Sequence, residues 1–216
     1  GQVLAEATSR GADYAELFFQ LREANGLTLE DGQVNRASHN VDLGMGVRVV
    51  RGDRVGYAFT EDLTMTAMRD AARTAAAISE GGDPLVPPRA FGRGRVAAYY
   101  PVTEAWDTVP VARKLPVLQT LDARIRALDP RVAKVTIHFT DDVSDIMIAR
   151  SDGQVLEDRQ PMTTLRVTCL AEQDGRREEG FYRLGGRVGM ELYDAETIEE
   201  VAQATIRNTM ILFEAE

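Results

Sequence analysis

The sequence predicts an α+β fold of two duplicated units, each made of antiparallel β-hairpins covered by a helix, plus a linking helix. Three features carry that expectation: an internal repeat, Gly/Asp turns between alternating strands, and one amphipathic helix closing each half. The repeat emerges when the chain is laid over itself with an offset of 121 residues, which sets Asp31-Gly32-Gln33-Val34 on Asp152-Gly153-Gln154-Val155. Upstream, Ala12 then falls on Ala133 and Phe18 on Phe139. Both positions lie in alternating apolar runs, Tyr14-Ala15-Glu16-Leu17-Phe18-Phe19 and Val135-Thr136-Ile137-His138-Phe139, which read as strands.

One inserted residue further on, Gly52-Asp53 meets Asp174-Gly175, and each pair separates two strands. Adjacent Gly and Asp tolerate the positive φ of tight two-residue loops, so both pairs are expected hairpin turns. Leu63, Ala67, Ala71, Ala75 and Ile78 recur at helical spacing behind an expected Asp62 cap; Ile198, Ala202, Ile206, Met210 and Phe213 do so behind Asp194. Thr197 and Glu200 form an alternative capping box for the second helix. Leu115, Leu118, Leu121, Ile125 and Leu128 predict the linking helix, with Pro116 holding its start near that residue.

Between the halves, residues 81–110 hold Pro84, Pro87, Pro88, Pro101 and Pro110, and are expected to form a linker loop in which Tyr99, Tyr100 and Trp106 pack down. The expected organisation is therefore a first unit over 1–80, the Pro/Gly-rich linker over 81–110, and a helix plus second unit over 111–216.

Composition narrows the function. With 44% hydrophobic residues the chain has enough apolar material for a core. A net charge of -9 supplies no surface for neutralising phosphates, so no direct nucleic-acid partner is expected. The single Cys169 closes no intrachain disulfide, residues 1–10 lack a signal-like core, and no apolar run approaches the roughly 18 residues that cross a bilayer. These features predict a cytoplasmic protein without membrane contact.

The chemical inventory is thin. His39 and His138 have no metal-ligand spacing to an acid or thiol, and Cys169 sits within an apolar strand, where a buried inert thiol is expected. Asp141-Asp142 is expected at the turn of the second unit's first hairpin, and Glu178-Glu179, beside Arg176-Arg177, on a solvated strand face. No catalytic and no metal-binding residue is assigned. Two glycine motifs stand out, Gly44-Met45-Gly46-Val47-Arg48 and Gly185-Gly186-Arg187-Val188-Gly189. Glycines in strands mark bulges or close crossings. Functionally, Gly44, Gly46, Arg48, Gly185, Gly186, Arg187 and Gly189 are the candidates for a substrate passage or interface, the arginines pairing with a carboxylate or carbonyl.

The order of these features resembles the TldD/PmbA family. The resemblance rests on Ala12-Asp13-Tyr14-Ala15-Glu16-Leu17-Phe18-Phe19-Gln20, Leu29-Glu30-Asp31-Gly32, Asn40-Val41-Asp42-Leu43-Gly44-Met45-Gly46-Val47-Arg48-Val49 and Gly56-Tyr57-Ala58-Phe59. It continues through Ser151-Asp152-Gly153, Arg166-Val167, Glu172-Gln173-Asp174-Gly175-Arg176-Arg177-Glu178 and Gly185-Gly186-Arg187, and spans residues 5–213. The stretch from Asp42 to Phe59 is nearer the metal-bearing branch than its partner subunit.

The resemblance implies a cytoplasmic zinc metallopeptidase that trims peptides or unfolded chains, works as a homodimer or with a related subunit, and has been labelled a modulator of DNA gyrase. It also implies a zinc motif, His-Glu-x-x-x-His with a further cysteine, in a carboxyl-terminal catalytic half. No His-Glu pair occurs in these 216 residues and no histidine follows His138, so no cofactor is expected in this chain. The expected role is that of a non-catalytic amino-terminal domain, partnered by that half, by a second subunit and by a peptide substrate. The alternative is a free-standing module that binds peptides by β-strand addition.

Overall fold

The computed structural model describes residues 1–79, 92–94, 97 and 99–214. Pro84, Pro87 and Pro88, and with them the first part of the expected linker, lie outside the described residues.

The fold is α+β. Helix α1 (Gln2–Thr8) precedes β1 (Tyr14–Glu30), β2 (Gln33–Arg51), β3 (Arg54–Thr60) and α2 (Met65–Ile78). The short β4 (Gly92–Arg93) is followed by α3 (Val111–Leu128), β5 (Val132–Arg150), β6 (Gln154–Gln173), β7 (Arg176–Gly186) and α4 (Ala195–Met210). The strand order is β3-β2-β1-β5-β6-β4, with β7 also pairing β6. Arg51 opposite Arg54 and Gln173 opposite Arg176 close the two-residue loops at Gly52-Asp53 and Asp174-Gly175. Asp174 and Gly175 both take positive φ, as do Asp31 and Gly32 between β1 and β2, whereas at Gly52-Asp53 only the glycine does.

Two compact units interleave along the chain: Gly1–Arg22, Val41–Tyr99 and Ser144–Gln160 form one, and Glu23–Asn40, Tyr100–Val143 and Pro161–Glu216 the other. Strands β1, β2, β5 and β6 contribute residues to both.

In the first unit, Leu4 and Ala7 of α1 and Ala71, Ala72 and Ala75 of α2 bury against Met45, Val47 and Val49 of β2 and Ala15 and Leu17 of β1. The alanine stripe brings α2 unusually close to β3. A Cβ placed on Gly56 would lie 1.8 Å from the Ala75 carbonyl oxygen, so only glycine fits beneath the helix. The cap of α2 is Thr64, whose hydroxyl accepts the Ala67 N–H, rather than the expected Asp62. Asp62 instead accepts the Thr64 N–H and braces the turn ahead of the cap. Leu63 accordingly precedes the helix.

In the second unit, α3 and α4 cover a core built around Trp106, Phe139 and Tyr193, whose rings meet at centroid distances of 5.4–6.0 Å. Of the expected aromatic cluster, Trp106 is fully buried, whereas Tyr99 is exposed. Asp194 caps α4 as expected by accepting the Thr197 N–H. Gly180 of β7 repeats the role of Gly56, since a Cβ there would lie 2.6 Å from Thr209 Cα of α4.

Two expectations fail here for one reason. Helix α3 begins at Val111, with Pro116 inside it, and Asp141 and Asp142 lie within β5 rather than at a turn. Lys114, in the added first turn of α3, is 3% exposed and donates to Asp141, whose side chain is fully buried, at 2.7 Å. This pairing holds an acid inside a strand and extends the helix past a proline that forgoes only one backbone hydrogen bond. The turn falls instead at residues 151–153.

Helices α3 and α4 are also clamped by Arg124, whose Nε and Nη2 donate to both Glu199 oxygens at 2.6 and 2.8 Å. The Arg124 hydrogen bonds, helped by Gln203, pull the Glu199 carboxyl down from 4.5 to about 2. A carboxyl held below its unfolded value adds stability above that value and loses it as pH falls through the folded one. In urea melts, the stability gap between the parent chain and a Glu199→Gln variant should therefore be full at neutral pH and close between 4.5 and about 2. A gap that persists unchanged at the acid end would contradict the clamp.

No helix among the described residues is long and apolar enough to cross a membrane.

Candidate functional site

The candidate residues fall into two sets, one in each unit. Gly44, Gly46 and Arg48 share one face of β2 in the first unit; Gly185 and Gly186 end β7 in the second, with Arg187 and Gly189 following.

On the first set, the register places Gly46 opposite Phe59 and Arg48 opposite Tyr57. Directly opposed residues point to the same side of an antiparallel pair. That side is the face turned away from the Met45–Val47–Val49 core. Tyr57 leans across the space a Gly46 side chain would need, its hydroxyl 2.8 Å from the Cβ position. A Cβ on Gly44 would come within 3.2 Å of the Thr60 carbonyl. The two glycines thus let β3 fold down and leave a groove of about 480 Å³ bordered by Phe18, Leu43, Tyr57 and Phe59.

Arg48 does not point a free charge into this groove. Its Nε donates to Glu16 at 2.7 Å, and its guanidinium stands 5.9 Å from the Tyr14 ring centre. Tyr14 in turn donates to the other Glu16 oxygen at 2.7 Å, and Arg150 also stands over its ring, at 5.5 Å. Burial, the Glu16 hydrogen bond and the Glu16 charge push the Tyr14 phenol up to about 12. It therefore stays a neutral donor, and the Arg48 charge is balanced locally.

In the second set, glycine is required by close approach at two positions. A Cβ on Gly185 would lie 2.6 Å from the Thr163 carbonyl oxygen, and one on Gly189 only 2.3 Å from that of Glu104. Gly186 is unconstrained, its nearest neighbour lying at 3.9 Å. The Arg187 guanidinium stacks 4.9 Å over the Tyr100 ring. The organising residue is Glu191, which sequence reasoning did not single out. Its carboxylate accepts the backbone N–H groups of Thr103 and Gly189. Burial works to raise that carboxyl, but backbone donors from Glu191, Gly189, Thr103 and Glu104 hold it below its usual range. No local motif marks it, since one of its two donors, Thr103, lies 88 residues earlier.

Neither set contains a metal centre, and no three His, Cys, Asp or Glu side chains converge as a metal-holding group among the described residues. His39 Nδ1 pairs with Asn25 Oδ1 at 2.9 Å and His138 Nδ1 with Thr28 Oγ1 at 3.2 Å. Cys169 is fully buried, and burial pushes its thiol up, away from the thiolate a metal needs. This donor set does not fit zinc, so no hydrolytic step is assigned to it.

Comparison with known proteins supplies the family. Residues 15–79 match the pattern described as PmbA/TldA metallopeptidase domain 1, and residues 104–213 the PmbA/TldA metallopeptidase central domain. The chain is 30% identical over 209 residues to the Metalloprotease TldD homolog of Haemophilus influenzae, a match covering 95% of this chain and 42% of that protein. The chain thus spans less than half the length of that relative. A Thermotoga maritima protein carrying the name modulator of a DNA gyrase shares the fold, with a TM-score of 0.74 at 16% identity, covering 100% of this chain and 48% of its own. TldE from Thermococcus kodakarensis does so with a TM-score of 0.63 at 14% identity, covering 95% and 46%. With both family patterns matched in order along one chain, the protein belongs to the PmbA/TldA (TldD/PmbA) metallopeptidase family.

Proposed function

We propose that this chain is the non-catalytic amino-terminal part of a TldD-like zinc metallopeptidase that degrades peptides or unfolded chains in the cytoplasm. Zinc and the water that attacks the peptide carbonyl belong to a carboxyl-terminal half. This chain shapes the substrate passage with the Gly44, Gly46, Arg48 face and with Gly185, Gly186, Arg187 and Gly189. It also supports assembly with a second copy or a related subunit. The observation that carries the reading is the paired match to domain 1 and the central domain, at 42% of the length of a TldD homologue.

The sequential division into 1–80, 81–110 and 111–216, with the hairpin-and-helix unit duplicated, belongs to the same proposal. It is supported by the matching order of β1-β2-β3-α2 and β5-β6-β7-α4. Mixing this chain with the separately produced metal-bearing half of a TldD relative tests the reading. Association and recovered peptide cleavage are expected, and a mixture that neither associates nor cleaves would contradict it.

A second reading, a peptide-binding module acting by strand addition, is favoured by the β3 edge, which exposes Val55, Tyr57 and Phe59 without a lysine or proline to guard it. The same mixture separates the two, since a free-standing module recovers no cleavage.

A further inference from the structure

The groove over Gly44 and Gly46 is lined by charge opposite in sign to its neighbouring arginine. Both helices of the first unit pack on the core side of β2, where Met45, Val47 and Val49 lie, and leave the outer face bare. On that face Tyr57 is 59% and Phe59 70% exposed, with Phe18 also open. Aromatic side chains left bare around a concave floor of about 480 Å³ are unusual for a surface without an occupant. Arg48 is neutralised by Glu16. The charges left on the groove lining are Asp42 and Glu61, both exposed, and neither has an ion-pair partner among the described residues.

We propose that this groove receives an extended cationic peptide segment. An aromatic or branched aliphatic side chain packs against the exposed rings of Tyr57 and Phe59, and a neighbouring Lys or Arg pairs with Asp42 or Glu61. The inference deepens the reading of Gly44, Gly46 and Arg48 as substrate-facing, and it replaces the carboxylate expected opposite Arg48 with a cation. A segment bearing acids is rejected, because it would meet two carboxylates and an arginine already engaged.

Amide chemical shifts of the 216-residue chain, titrated with acetyl-Lys-Phe-Lys-amide and separately with acetyl-Glu-Phe-Glu-amide, test the idea. The basic peptide should shift the amides of Gly44, Gly46 and Glu61, and the acidic one should leave them in place. An Asp42→Asn/Glu61→Gln double variant, altered only at exposed positions, should bind the basic peptide about tenfold more weakly, as loss of two surface ion pairs implies. Equal or tighter binding of the acidic peptide, shifts confined to other residues, no binding at millimolar peptide, or self-association that occupies these amides would each overturn the proposal. If the groove fails while the chain still restores cleavage to a metal-bearing half, the groove assignment alone falls. Failure of both removes the peptidase reading as well.

Discussion

Replacing Lys114 with Met should destabilise the chain by about 3–5 kcal/mol, the range for removing one partner of a buried ion pair. The cause is what remains. Asp141 would be left charged with no cation in a site where its side chain is fully buried. Its other oxygen accepts the Asn25 amide, at 2.9 Å. The Lys114→Met/Asp141→Leu double variant should recover most of the loss, because two apolar side chains of similar volume remove the desolvation problem. Asn25 is only partly buried, so water can replace the lost acceptor. Urea denaturation of the four proteins in this cycle gives the answer. A loss below about 1 kcal/mol for the single variant would place the pair at the surface in solution.

A comparable effect is expected where the helices rest on glycine. At Gly56 an added methyl would meet the Ala75 carbonyl at 1.8 Å, and at Gly180 the Thr209 backbone at 2.6 Å. Neither obstacle is a flexible side-chain end, so α2 or α4 must move away from its strand and open the packing beneath it. Gly56→Ala and Gly180→Ala should each cost about 3 kcal/mol, the upper range for overpacking. Gly186→Ala is the control, since its nearest neighbour is 3.9 Å away and alanine suits a strand at least as well as glycine. Thermal melts showing all three variants alike would mean that the helices ride higher than described.

These two effects also mark where the sequence was legible. Local signals were read well. Alternation located β1 and β5, the Gly/Asp pairs located two hairpin loops, and Asp194 was identified as a cap because capping is settled within three residues. Asp141-Asp142 was misread because two adjacent acids look like a turn unless the cation that neutralises one of them is known, and Lys114 is 27 residues away. The same partnership placed the start of α3 ahead of Pro116. Arg48 was correctly put beside two glycines, yet its partner Glu16 comes from another strand 32 residues earlier, which no local motif reports. Gly56 appeared within a recognisable run, but its function depends on how near α2 comes, a tertiary fact. The two glycine motifs were thus legible as close approaches of backbone, while the ion pairing of Arg48 was not.

The central claim is that this polypeptide supplies framework and surface while the metal and the bond-breaking chemistry belong elsewhere. Elemental analysis of the purified chain after dialysis against zinc, followed by an assay of unstructured peptide cleavage, tests it most directly. The account predicts zinc far below one per chain and no cleavage above buffer. A stoichiometric, tightly held metal coordinated by His39, His138 or Cys169, with turnover by this chain on its own, would contradict it.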